Sequence, residues 1–152
     1  MVEPLYALAV FALLVIAVAA ITWPDHGLLA RAHRGRLAQK RVRMEDALKH
    51  LFKCEYRDRP ATLVSVAGAL EAGQSTAADT LERLRDAGLV EPTDTMRLTA
   101  EGRAYALRII RTHRLWERYL ADRTGVAPGE WHERAEHREH FLSEAEVDRL
   151  DA

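Results

Sequence analysis

Hydrophobic residues follow two different patterns along this chain of 152 residues. From Leu5 to Trp23 they form a run of nineteen residues without a charged side chain. As a helix this run would be about 28 Å long, which is close to the hydrocarbon thickness of a bilayer. After residue 43 they recur at helical intervals instead, as expected for amphipathic helices that share a core. The pattern predicts one transmembrane helix followed by a mainly α-helical module.

Six basic residues follow the uncharged run within thirteen positions that contain no acidic residue: Arg31, Arg34, Arg36, Lys40, Arg41 and Arg43. Clusters of this kind beside a membrane span usually stay on the cytoplasmic side. A cleaved signal peptide and a buried helix of a soluble fold are the alternatives, but no Lys or Arg precedes the run. We therefore expect a single-pass protein of the inner (cytoplasmic) membrane, held there through residues 5–23. Its parts would be a transmembrane helix over 1–24, a basic cytoplasmic linker over 25–43 and a cytoplasmic domain.

Residues 44–98 have the pattern of a winged helix-turn-helix domain. Helical spacing predicts a first helix over 44–56, a short second helix capped by Thr62, and a third helix that begins at Ser75 or Thr76. The runs LVEP and MRLT follow the third helix and predict two short strands around a turn, which would form the wing. An ordinary helical hairpin remains the alternative, because the helix-turn-helix has a weak sequence signature.

Residues 99–152 predict a helical domain. Thr99 would cap a long helix that ends near residue 123, and a loop around Pro128 would lead to the next helix. Ser143 and Glu146 form a capping box that would open a last helix. Helical spacing predicts that one apolar stripe of the long helix is buried. Its residues are Ala104, Leu107, Ile110, Leu115 and Leu120.

Three histidines and three glutamates are concentrated in the stretch HERAEHREH, in a chain with seven histidines. On a helix, His132, Glu136, Glu139 and His140 fall within an arc of about 100°, while His137 points elsewhere. An arc of this width can converge on one ion. A solvated helix held by surface ion pairs is the alternative interpretation.

His113 and Glu117 form a second pair, spaced four residues apart on the predicted long helix. Two facing helices that supply Glu and His are a common way to build a divalent metal site. Imidazole and carboxylate ligands suit transition metals, and the single cysteine excludes a multi-cysteine zinc site. No nucleophile or cofactor motif accompanies these residues, so we expect a regulatory protein and not an enzyme.

Three stretches in this order, RMEDALKHL, GLVEP...MRLTAEGRAYALRIIRTHRLWERYL and WHERAEHREHFLS, resemble the diphtheria-toxin-repressor-like family of iron- and manganese-dependent transcriptional repressors. The resemblance covers about residues 43 to 152. It implies a winged-helix DNA-binding domain over 44–98, a helical metal-binding and dimerisation domain over 99–152, a homodimer, and operator DNA as the partner.

The resemblance also implies a set of metal ligands. Asp46, Glu136, Glu139 and His140 correspond to the family's primary site. Its ancillary site, or the rest of a two-metal cluster, corresponds to His113, Glu117 and His132. Since Glu136 and Asp46 stand where iron-type members carry Cys and Met, the resemblance favours Mn²⁺ over Fe²⁺ as the cofactor. Lys49 departs from the manganese type, which tends to have a further carboxylate at this position.

The DNA-facing residues implied by the same resemblance are unusually poor in positive charge. They are Ser75, Thr76 and Asp79 on the third helix, with Arg83 nearby and Arg97 on the wing. Residues 44–152 carry 16 Lys and Arg against 21 Asp and Glu, so a bound cation would reduce the repulsion of DNA phosphates. Asp79 could accept a hydrogen bond from a cytosine amino group, but it repels phosphate.

The predicted span resembles the last helix of a permease from an ATP-driven metal importer, joined by a basic linker to a repressor-like tail. We therefore expect a membrane-tethered, metal-dependent DNA-binding transcriptional regulator of metal homeostasis. The alternative is a cytoplasmic metal-sensing domain that regulates a manganese or zinc transporter permease by contact and binds no DNA. A metal transporter permease is a possible partner in either case.

Overall fold

The computed structural model describes residues 4–23, 27–93 and 95–151. They divide into two compact units, Met1–Arg41 and Val42–Ala152. The described residues are mainly α-helical, which confirms the predicted fold class at that level.

The first unit contains helix α1, Pro4–Thr22, and the beginning of helix α2, Leu28–Tyr56. Helix α1 is the uncharged run, and its large side chains such as Phe11 and Leu13 are exposed. Helix α2 extends through most of the predicted basic linker. Residues 1–3 and 24 of the predicted transmembrane segment, and residues 25 and 26 of the predicted linker, lie outside the described residues.

The prediction of a membrane span over residues 5–23 is wrong. Within the part of the chain that the structure describes, no helix has both the length and the apolar character needed to cross a membrane. The predicted inner-membrane localisation depended on that span and is corrected with it, and the membrane as a partner has no support.

The second unit begins with the rest of α2, followed by helix α3, Leu63–Ala69, and helix α4, Gln74–Asp86. Thr62 caps α3 in a capping box with Ser65, and this fixes where the helix begins. The chain leaves α4 through Gly88, whose φ of 70° lies in the left-handed region that favours glycine. Leu48 and Leu51 of α2 pack with Val66 and Leu84 in one apolar core. The three helices thus form a helix-turn-helix unit.

The predicted wing is a loop closed by a single antiparallel bridge between Val90 and Leu98. A backbone hydrogen bond from Glu91 N to Arg97 O, 2.9 Å long, continues the pairing by one step. Asp94, at the predicted turn, lies outside the described residues. The two predicted strands are therefore shorter than expected, although their register places Val90 and Leu98 in the core.

Helix α5, Ala100–Arg123, has the predicted bounds and the predicted cap, since Thr99 Oγ1 accepts a hydrogen bond from Gly102 N. Gly102 is required here because a Cβ at this position would lie 2.0 Å from the carbonyl oxygen of Leu89. The buried face of α5 differs in part from the predicted stripe: it consists of Gly102, Ala106, Ile109, Thr112, Leu115 and Leu120. The small residues Gly102 and Ala106 allow close packing at the N-terminal end of α5.

A 3-10 turn, Pro128–Glu130, leads into helix α6, Trp131–Glu139, and helix α7, Glu144–Asp151, follows. Both helices pack against α5. Ser143 N and Oγ both donate to Glu146 Oε2, at 2.8 and 2.7 Å, as predicted for the cap of α7. This packing brings the acidic and histidine-rich face of α6 against α5 and α2.

Candidate metal centre

The structure places six of the seven predicted metal ligands in two groups that could each hold an ion. The first group, here called the histidine triad, consists of His113, Glu117 and His132. The second, here called the α2–α6 cluster, consists of Asp46, Glu139 and His140. Helices α5 and α6 supply the triad, while the α2–α6 cluster joins α2 to the end of α6.

The donor atoms of the histidine triad are nearly equidistant. His113 Nε2 lies 3.1 Å from Glu117 Oε1 and 3.0 Å from His132 Nδ1, and Glu117 Oε1 lies 3.1 Å from His132 Nδ1. The three donor atoms are close enough to one another to bind a single ion.

A hydrogen bond made by Nδ1 of His113 determines that Nε2 is the ring nitrogen facing the triad. His113 Nδ1 lies 2.6 Å from Glu139 Oε2. A carboxylate can only accept a hydrogen bond here, so Nδ1 carries the proton and donates a hydrogen bond to Glu139. In neutral His113, Nε2 then has a free lone pair directed at the triad, and a carboxylate behind a ligating histidine is common in metal proteins.

Ionisation within the triad follows from these contacts. The hydrogen bond to Glu139 raises the pKa of His113, although burial of the ring acts in the opposite direction. Burial raises the pKa of Glu117, but its contacts with His132 and His113 outweigh burial, and the net pKa is lowered. The triad thus favours a carboxylate at Glu117 and a proton on His113, and an ion has to compete with that proton.

The α2–α6 cluster is more deeply buried than the triad. The side chain of Glu139 has no exposed area, and that of His140 is 4% exposed. His140 Nε2 lies 3.6 Å from both Asp46 Oδ1 and Glu139 Oε1. Asp46 Oδ1 is buried without a well-directed hydrogen bond from any described residue. By donor type the cluster would suit a divalent ion.

Lys49 occupies the same place. Its Nζ lies 2.5 Å from Glu139 Oε1 and 2.9 Å from Asp46 Oδ1, the same two oxygens that face His140. The contact with Asp46 is an ion pair. Burial lowers the pKa of Lys49, but its interactions with Glu139 and Asp46 outweigh burial, so the net pKa is raised and the ammonium stays charged.

Glu139 connects the two groups. Oε2 accepts from His113 and Oε1 accepts from Lys49. Burial raises the pKa of Glu139, but these two hydrogen bonds outweigh burial and the net pKa is lowered. A chain of contacts therefore runs from the triad through Glu139 to helix α2.

Sequence reasoning missed Glu45. This residue is buried and accepts from His140 Nδ1 at 2.5 Å and from the Tyr105 hydroxyl at 2.7 Å. It holds the His140 ring so that Nε2 faces Asp46 and Glu139. The signal in the sequence was weak: a carboxylate on the otherwise apolar face of α2 next to Ala47 and Leu48.

The seventh predicted ligand, Glu136, is more loosely placed. Its side chain is 56% exposed, and Oε1 lies 3.8 Å from Lys49 Nζ. His137, predicted to point away from the others, is exposed and packs against the ring of Phe141. The arc predicted for α6 is therefore divided between the triad, the α2–α6 cluster and the surface.

The predicted DNA-facing residues lie on α4 and the wing. Ser75, Asp79 and Arg83 are exposed on α4, and Thr76 is half-buried. Arg97 is exposed on the wing. Helix α4 begins after Gly73, so Ser75 and Thr76 lie within its first turn and do not cap it.

The longest matches to known proteins are to metal-dependent repressors. Residues 99–152 match the family model described as "Iron dependent repressor, metal binding and dimerisation domain". Over 104 residues the chain is 34% identical to the diphtheria toxin repressor of Corynebacterium efficiens, an alignment that covers 67% of this chain and 45% of that protein. The chain thus spans less than half the length of this curated relative.

Two solved structures have a similar fold. The manganese regulator SloR has 29% identity and a TM-score of 0.64, over 71% of this chain and 51% of that chain. A manganese-dependent transcriptional repressor in complex with manganese has 32% identity and a TM-score of 0.63, over 70% of this chain and 50% of that chain.

Residues 99–152 are thus similar to the metal-binding and dimerisation domain of iron-dependent repressors, and a longer part of the chain is similar to the repressors named above. The relatives are repressors and not enzymes, in agreement with the prediction of a regulatory protein. These repressors do not favour the alternative of a transporter's sensing domain, and they give no support to a membrane or a permease as a partner. Over 43 residues, which are 28% of this chain and 10% of that protein, the chain is 49% identical to a probable metal transport system membrane protein of Chlamydia pneumoniae.

Proposed function

We propose that this chain is a metal-dependent, DNA-binding transcriptional regulator of metal homeostasis that acts as a homodimer. The observation that carries the proposal is the histidine triad, in which three donor atoms from α5 and α6 lie 3.0–3.1 Å from one another. The similarity to metal-dependent repressors supports the same function.

The triad residues His113, Glu117 and His132 would hold the ion. Two imidazoles and one carboxylate, without sulfur, suit Mn²⁺ or Fe²⁺. Preference for Mn²⁺ over Fe²⁺ is proposed on the resemblance, because Glu136 and Asp46 stand where iron-type members carry Cys and Met. The bound ion would supply positive charge and hold α5 against α6.

The chain's own residues can carry the effect of the ion to the DNA-binding part. His113 would hold the ion through Nε2, while its Nδ1–H donates a hydrogen bond to Glu139. Glu139 in turn accepts from Lys49 on α2, the helix that packs against α3 and α4 through Leu48 and Leu51. Fixing the His113 ring would therefore restrict the position of α2 relative to the α5–α6 pair.

DNA contact would come from α4 and the wing. Ser75, Thr76 and Asp79 at the start of α4 would face base edges, while Arg83 and Arg97 would contact phosphates. A module with an excess of acidic residues binds DNA weakly, so reduction of its negative charge by an ion would strengthen binding. A two-fold dimer would present two such surfaces to a palindromic site.

A DNA retention assay tests this function. The full-length chain would be incubated with a pool of random duplexes at a fixed salt concentration, with Mn²⁺ or with a chelator. We expect sequence-selective retention only with Mn²⁺, lost in Glu117→Gln and kept in His137→Ala, whose side chain lies outside both groups. Metal binding without any retention of DNA would contradict the proposal.

A further inference from the structure

We propose that the Lys49 ammonium takes the place of a metal ion in the α2–α6 cluster, so that the chain binds one divalent ion, in the histidine triad, and not two. This inference rests on the proposed metal site in the triad. It concerns a residue at which the sequence already departs from the manganese-type pattern.

The positions of the atoms carry the inference. An ion bound by Glu139 and Asp46 would lie about 2.1 Å from an oxygen of each. Lys49 Nζ lies 2.5 Å from Glu139 Oε1 and 2.9 Å from Asp46 Oδ1. The Lys49 ammonium and a bound metal ion would therefore occupy overlapping positions, and both are positively charged. The cluster can hold the ammonium or the metal ion, but not both.

The surroundings of Lys49 favour its ammonium as the cation of the α2–α6 cluster. Its side chain is 12% exposed and joins Glu139, 90 residues away in the sequence, to Asp46 on its own helix. Glu136 Oε1, at 3.8 Å, adds a third carboxylate around the same nitrogen. Without the ammonium, several carboxylates would face one another in a buried position, which is unfavourable unless another cation replaces it.

The histidine triad and the α2–α6 cluster therefore have different roles. The link from α2 to α6 is made by a side chain and is present with or without metal. Response to metal then depends on the triad alone, and it reaches α2 through Glu139, the residue shared by His113 and Lys49.

The number of Mn²⁺ ions bound per full-length chain tests the inference. It can be measured by equilibrium dialysis with the bound Mn²⁺ counted by atomic emission. We expect one ion per chain for the unaltered protein and two for Lys49→Met. The matched control Lys53→Met, an exposed lysine one turn further along α2, should bind one.

Further variants locate each ion. Glu117→Gln should bind none, whereas Lys49→Met combined with Glu117→Gln should bind one, in the α2–α6 cluster. Circular dichroism would show that each variant is folded, and Mn²⁺ should restore part of the thermal stability that Lys49→Met loses.

The outcomes separate this inference from the proposed function. Two ions in the unaltered chain, or one in a folded Lys49→Met, would overturn the role of Lys49 while leaving the triad intact. No ion in the unaltered chain with one in Lys49→Met would support Lys49 as the cation of its cluster and contradict the triad. No ion in either would overturn both.

Discussion

Replacing Glu139 by Gln should strongly destabilise the metal-free protein. The side chain of Glu139 is fully buried and accepts from Lys49 at 2.5 Å and from His113 at 2.6 Å. Glutamine keeps the shape but removes the charge that both partners require. Breaking a buried ion pair by removing one partner costs about 3–5 kcal/mol. Lys49 keeps Asp46 at 2.9 Å, so we expect the lower end, about 3 kcal/mol.

Thermal unfolding at pH 7 in the presence of a chelator measures this loss. For a cooperative unit of about 110 residues (Val42–Ala152), 3 kcal/mol corresponds to a fall in the melting temperature of roughly 12 °C. The matched control is Glu136→Gln, because Glu136 also faces Lys49 but is 56% exposed at 3.8 Å. An exposed pair of this kind contributes about 0.5 kcal/mol or less.

A double variant separates charge pairing from packing. If the cost of Glu139→Gln arises from the uncompensated ammonium, Lys49→Met with Glu139→Gln should be less destabilised than the sum of the two single variants by about 1 kcal/mol or more. Equal losses for Glu139→Gln and Glu136→Gln, or strict additivity in the double variant, would refute the reasoning.

Three further predictions concern the fold and the DNA surface. Gly102→Ala should lower the free energy of unfolding by about 3 kcal/mol, because the new Cβ would lie 2.0 Å from the Leu89 carbonyl oxygen. Gly125→Ala, at a position with open space around it, should have little effect. Equal losses in the two variants would contradict the close contact at Gly102. Burial and a neighbouring lysine lower the pKa of His50 in the folded state, so its contribution to stability is present above pH about 6.5 and is lost as the pH falls. When unfolding is measured at pH 7.5 and 5.5, His50→Gln should therefore lose less stability at the lower pH than the unaltered chain does. An equal loss of stability in the two proteins would contradict this prediction. Asp79→Asn should raise affinity for random duplex DNA about fivefold at low salt by removing a negative charge near phosphate; unchanged affinity would place Asp79 away from DNA.

Local signals in the sequence predicted where two helices begin. The caps at Thr62 and Thr99 depend on residues within a few positions of each other, so they can be predicted without tertiary information. The start of α2 was missed, because the basic run from residue 28 lacks apolar periodicity. Arg and Lys nevertheless favour helix, and α2 extends back to Leu28.

Tertiary packing explains the errors on α5. The predicted stripe selected large apolar residues, yet Leu107 is 50% exposed while Gly102 and Ala106 are buried. The contact of α5 with the backbone of Leu89 leaves no room for a Cβ at position 102, so the buried face includes a glycine there. Hydrophobicity alone does not reveal that preference.

The candidate site was predictable where its members share a helix. His113 and Glu117 are four residues apart on α5, and the pairing of Lys49 with Asp46 is an i, i+3 contact. The contact of His140 with Glu45 spans 95 residues. Such a contact depends on how α2 meets the end of α6, and no local spacing contains that information.

The central claim is that His113, Glu117 and His132 together hold a divalent ion. The most direct measurement is the gain in unfolding free energy on adding Mn²⁺. At a free concentration one hundred times the dissociation constant, one site contributes about 2.7 kcal/mol. We predict this gain for the unaltered chain and for His137→Ala, and its loss in Glu117→Gln combined with His132→Ala. An undiminished gain in that double variant would contradict the account.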